Sequence, residues 1–144
     1  MPSPRSGALW LIAIFSILVG PVLAADAPPG DLFGRLKLKV KPDQPFQLLV
    51  RVRLKPGTEE KFAAEAAKAA KASESEPGCE TYAFYADLEH PGTVILFEKW
   101  KSTAALQSHI EQPYTASLLK LMADIGAEPT IQLLGPLPPP KPAP

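Results

Sequence analysis

One cysteine in 144 residues, Cys79, rules out a disulfide within the chain. The fold must hold without a covalent staple even in an oxidising compartment, and any disulfide would join two chains. Net charge is also missing, because 15 basic and 15 acidic side chains cancel. Nucleic-acid binding needs clustered Lys and Arg to neutralise phosphates, so that class is set aside. The longest apolar run, Ala8 to Gly20, has 13 residues; as a helix it reaches about 20 Å, short of the roughly 30 Å hydrocarbon core. There is no paired-carboxylate motif, no His/Cys cluster with metal-ligand spacing and no glycine-rich phosphate loop.

That apolar run follows a short segment, Met1 to Gly7, whose one charge is Arg5, and it leads through Pro21 to Val22-Leu23-Ala24. This is the pattern of a secretory signal peptide with cleavage after Ala24. Residues 1–24 are therefore expected to be removed and the protein to be secreted or periplasmic, off the membrane after cleavage. Removal would leave 14 basic and 15 acidic side chains.

Proline then marks the domain. Of 18 prolines, seven lie in residues 1–45 and six in 136–144, leaving five for the 89 residues from Phe46 to Leu134. Residues 25–45 read as an extended linker, with Leu36, Leu38 and Val40 alternating against Arg35, Lys37 and Lys39 as one possible extra edge strand. The tail, 135–144, favours polyproline II and packs no core; it is a solvated, disordered end or a docking peptide.

Between these ends the remaining prolines, Pro56, Pro77, Pro91, Pro113 and Pro129, fall where one element stops and another begins. Phe46 to Leu54 alternates apolar and polar positions, the period of a strand. Thr58 to Ser75 holds seven alanines, with Thr58 placed to cap and Glu59 and Glu60 suited to the positive end of a helix dipole. Glu80 to Ala86 and Thr93 to Trp100 form a hairpin. Ser102 caps a short helix ending near Gln112, and Pro113 opens another that runs to Gly126. Thr130 to Leu134 is the last strand. The order βαββαβ predicts a ferredoxin-like α+β sandwich, an antiparallel sheet with its helices on one face. The hairpin strands are apolar on both alternating sets, so a second copy of the sheet is expected to cover the other face, with Arg51 and Arg53 near that interface.

Three stretches carry a resemblance: Arg51-Val52-Arg53-Leu54-Lys55-Pro56-Gly57-Thr58-Glu59-Glu60-Lys61-Phe62, then Glu76-Pro77-Gly78-Cys79, then Phe97-Glu98-Lys99-Trp100-Lys101-Ser102 with Ala105-Leu106-Gln107-Ser108-His109. In order and spacing residues 46–134 resemble the antibiotic biosynthesis monooxygenase domain. The resemblance implies a homodimeric α/β barrel and oxygenation of quinols, anthrones or similar small aromatics by O2 without metal or other cofactor. It also implies that Trp100 and His109 lie at the substrate cleft. The fold alone does not fix an activity.

The residues themselves offer His109 as the side chain suited to proton removal near neutral pH, or else as a half-buried helix residue bonded to a carbonyl. Val50, Phe62, Tyr82, Phe84, Trp100 and Tyr114 are the candidate substrate walls, each also open to ordinary packing. The small residues Ala66, Ala69, Ala70 and Ser73 either let their helix close on the sheet or leave a cleft beneath it. Glu98 reads as a salt-bridge partner or an acid/base group, Cys79 as a small buried hydrophobe, and His90 as a solvated loop residue. Two other classes stay open: a haem-binding or haem-degrading protein with His109 as axial ligand and Trp100 as wall, and a non-catalytic dimeric module that binds small aromatics. Against haem, its degrading relatives carry asparagine where this chain has Val50.

Overall fold

A computed structural model describes residues 31–140. The expected signal peptide lies outside the described residues. The elements are α1 (Leu32–Lys39), β1 (Phe46–Arg53), α2 (Glu59–Ser73), β2 (Cys79–Ala86), β3 (Thr93–Trp100), α3 (Thr103–Ile110), α4 (Pro113–Asp124) and β4 (Glu128–Leu134). The strands form one antiparallel sheet in the order β2-β3-β1-β4, the ferredoxin-like arrangement expected from the alternation of strands and helices.

The possible edge strand at Leu36, Leu38 and Val40 is a helix instead, followed by Val40 in extended backbone. The period-2 count was misleading because Leu38 is 84% exposed, whereas Leu32, Phe33 and Leu36 follow the i, i+1, i+4 spacing of one helical face. Leu36 is buried and joins the main core. Arg35 fastens the helix to the open edge of the sheet, its Nη1 donating to the Ile131 carbonyl at 3.1 Å. Pro129 lies within β4, which pairs with β1 alone and so tolerates a missing N–H.

Local chemistry sets most boundaries. The Ser102 hydroxyl accepts from the Ala105 N–H at 3.1 Å and caps α3. Thr58 does not cap α2 with its side chain; its hydroxyl donates to the Lys55 carbonyl at 2.7 Å. Gly126, at φ +61°, takes the left-handed turn that stops α4.

Register sorts the strand side chains onto two faces. Leu48, Val50 and Val52 of β1 lie beside Glu98, Leu96 and Val94 of β3, and beside Leu133, Ile131 and Pro129 of β4. Tyr82 and Phe84 of β2 extend the rows of Glu98 and Leu96. This face meets residues of all four helices in one core that includes Leu36, Phe62, Ala66, Ala69, Leu106, Leu118 and Met122. The other face carries Leu49, Ile95, Phe97 and Ala83, all half-buried, with Tyr85 56% exposed and Arg51 and Arg53 exposed.

Candidate functional site

Between the sheet and the helices lies a cavity of about 320 Å³. The inner face of the sheet supplies Leu48, Val50, Val52, Leu96, Phe84 and Ile131, and Phe62, Leu118 and Met122 close the opposite side. Asp31 and Leu119, the exposed lining residues, mark its mouth. The cavity does not lie beneath the alanines of α2: Ala66, Ala69 and Ser73 are buried outside its lining. That helix closes on the sheet, and the Ser73 hydroxyl donates back to the Ala69 carbonyl at 2.8 Å.

Polar groups gather at one end. His109, 2% exposed, lines the wall with Thr115, Tyr82 and Glu98. Its Nδ1 lies 2.6 Å from Glu76 Oε1, and its Nε2 lies 3.3 Å from Thr115 Oγ1. A carboxylate at that distance accepts, so Nδ1 is the donor to Glu76, and Nε2 is the ring nitrogen beside Thr115. The Tyr114 hydroxyl donates to the same Glu76 oxygen at 2.6 Å. Burial, together with that bond to Glu76, pushes the Tyr114 phenol above its ordinary range.

Five of the seven expected site residues share this cavity: His109, Val50, Phe62, Tyr82 and Phe84. Trp100 and Tyr114, the other two, do not line it. Trp100 is fully buried behind His109, the ring centroids 4.7 Å apart, and Tyr82 packs on the same imidazole at 4.9 Å. Tyr114 reaches the cavity only through Glu76 and His109. Both residues position the imidazole.

Glu98 has greater consequence than a surface salt bridge. It is 6% exposed on the cavity wall, and its Oε2 accepts the Trp100 indole N–H at 2.7 Å. Burial raises its carboxyl to about 7; the Trp100 bond opposes this and the Glu76 charge adds to it. Glu76 and Thr115 join the site without being among the candidate residues of the sequence. Glu76 lies 33 positions before His109 in a turn, and no local pattern ties the two. Glu98 carried a signal, since an acid two residues before Trp100 on an apolar strand face must point inward.

The remaining candidates stand apart. Cys79, half-buried, has its thiol pushed up to about 11, first by burial and then by Glu76 and Glu98, which leaves little thiolate for reaction. His90 is exposed in the hairpin loop, its Nδ1 3.0 Å from Asp87. A haem axial ligand needs a ring nitrogen facing a slot wide enough for the porphyrin. Here Nδ1 is held by Glu76, and Nε2 faces Thr115 in a small cavity with the imidazole packed against Tyr82 and Trp100. These residues do not fit a haem.

The family model described as antibiotic biosynthesis monooxygenase matches residues 45–117. A protein of Synechocystis sp., sll1783, is 33% identical over 87 residues; the match covers 60% of this chain, and the chain spans 59% of the length of that curated relative. Two solved structures share the fold. One is an antibiotic biosynthesis monooxygenase, with TM-score 0.60 and 21% identity, covering 65% of this chain and 99% of its own. The other is PA3566 from Pseudomonas aeruginosa, with TM-score 0.61 and 21% identity, covering 68% and 99%.

Proposed function

The chain belongs to the antibiotic biosynthesis monooxygenase family, and on that premise we propose that it is an exported, homodimeric enzyme that oxidises a small quinol- or anthrone-type aromatic with O2 and no cofactor. One observation carries the reading. His109 lines the cavity beside Thr115 and Glu98, with Glu76 against its Nδ1 and the Thr115 hydroxyl 3.3 Å from its Nε2.

In this arrangement Nε2 removes a proton from a phenolic or enolic hydroxyl, and the Glu76 carboxylate stabilises the imidazolium that forms. Tyr114 holds Glu76 in place, and Tyr82 and Trp100 fix the plane of the ring. The substrate anion gives one electron to O2, and the resulting radical pair combines at carbon to form a peroxide. Its O–O bond breaks as a C–H bond of that carbon is lost. One oxygen stays as a carbonyl and the other leaves as water, with the proton held by His109 returned to it. All the reducing electrons come from the substrate. The apolar walls keep bulk water from the charged intermediates.

The uncovered sheet face supports dimerisation, since Leu49, Ile95 and Phe97 form an apolar centre that a second copy would bury. Phe97→Glu is expected to turn a dimer into a monomer in sedimentation velocity; a wild type that sediments as a monomer contradicts this part. Export rests on the apolar run before Ala24 and is checked by N-terminal sequencing of protein recovered from the extracytoplasmic fraction.

Oxygen uptake with a panel of quinols and anthrones tests the chemistry. The wild type is expected to consume O2 with at least one member, and His109→Ala to lose about 10²- to 10⁴-fold in rate. Turnover in His109→Ala equal to wild type removes the base.

A further inference from the structure

The polar end of the cavity holds a second group that proton removal by His109 does not use. Glu98 lines the cavity and is fixed through Oε2 by the Trp100 indole, its one side-chain hydrogen bond among the described residues. Tyr82, its partner across the strand pair, lines the cavity with it. A carboxyl on a mostly apolar cavity wall is a hydrogen-bonding partner for a ligand oxygen placed beside it.

Position along the strands says where such a ligand lies. Glu98, Tyr82 and Leu48 form one row across the sheet, and the Tyr82 ring touches His109. Glu98 and His109 therefore flank the same end of the cavity. Four residues further along β1 the wall is Val52 and Pro129, about 13 Å away at strand rise. A molecule complementary to this space has its oxygens at one edge and a hydrocarbon body at the other.

Resting on the reading of the cavity as a site for oxygenated aromatics, we propose that Glu98 is its specificity-determining residue. His109 takes the proton of one hydroxyl, and Glu98 holds a second oxygen on the same edge of the ring system. The preferred substrates are then fused or alkyl-bearing aromatics with two neighbouring oxygens, ahead of simple phenols.

Anaerobic calorimetry with 2,3-dihydroxynaphthalene and 2-naphthol separates the cases. The wild type is expected to bind the diol about ten-fold more tightly, the worth of one additional buried hydrogen bond. Glu98→Met should bring the ratio of the two affinities near one. Glu98→Gln should keep it, because the amide can accept from Trp100 and still donate to a ligand oxygen. Should Glu98→Met fail to fold, Glu98→Asp draws the carboxyl back by one methylene and must lower the ratio in the same way. A wild-type ratio near one, or an unchanged ratio in Glu98→Met, overturns the role of Glu98 and leaves His109 as base standing. Binding of neither compound overturns both.

Discussion

Beside β2, α2 meets the sheet through Ala66, Ala69 and Ser73, whereas Leu106, His109, Leu118 and Met122 of α3 and α4 face β1 and β4 across a cavity. Both flanks belong to one helical layer on one sheet, yet one is closed along Ala66, Ala69 and Ser73 and the other is hollow, the cavity reaching α2 and β2 at Phe62, Tyr82 and Phe84. Small side chains let α2 pack closely beside β2. Larger ones on α3 and α4 hold those helices off, and the space they do not fill becomes the site. Glu98 and His109 face the hollow flank, and Trp100 backs them, bonded to Glu98 and packed on the imidazole.

The largest expected contrast in stability concerns Glu98, the acid on the hollow flank. Its carboxyl in the fold sits at about 7, against the usual 4.5. As pH rises from about 4.5 to 7 the unfolded chain gives up this proton while the fold keeps it, so the fold loses stability through that window and the loss persists above it. Glu98→Gln should therefore be more stable than wild type at pH 8, by up to about 3 kcal/mol, and no more stable at pH 4. Urea unfolding at the two pH values measures this. An equal effect at both would contradict a buried acid.

Next in size is Ala69→Leu, where three added carbons meet a closed interface and should cost about 1–3 kcal/mol in the same assay. The smallest effect belongs to Val50→Phe, an enlargement that points into empty space and should cost less than about 1 kcal/mol. If the two enlargements cost the same, the flanks do not differ.

Much of this contrast was legible in the chain. The alternation of Phe46, Leu48, Val50 and Val52, and the prolines between elements, set the strands and their order because a half-buried strand obeys a period of two. The same rule failed at α1, where Leu36, Leu38 and Val40 imitate a strand and the neighbouring Leu32 and Phe33 decide for a helix. The alanines of α2 left open whether the flank closes or gapes, because the answer depends on how large the residues of the other helices are. His109 stood out by its chemistry. Glu76 did not, since its meaning comes from a contact 33 residues away, and the place of Trp100 behind His109 was not legible because a buried aromatic at a strand end can lie behind a wall as readily as on it.

The central claim is that the hollow flank is a binding site for an oxygenated aromatic. Calorimetric titration of wild type and Val50→Phe with 2,3-dihydroxynaphthalene tests it most directly. Saturable binding of one molecule per chain by wild type, lost in a Val50→Phe protein that unfolds at nearly the wild-type urea concentration, is the predicted result. Undiminished binding to Val50→Phe, or none to wild type, would contradict it.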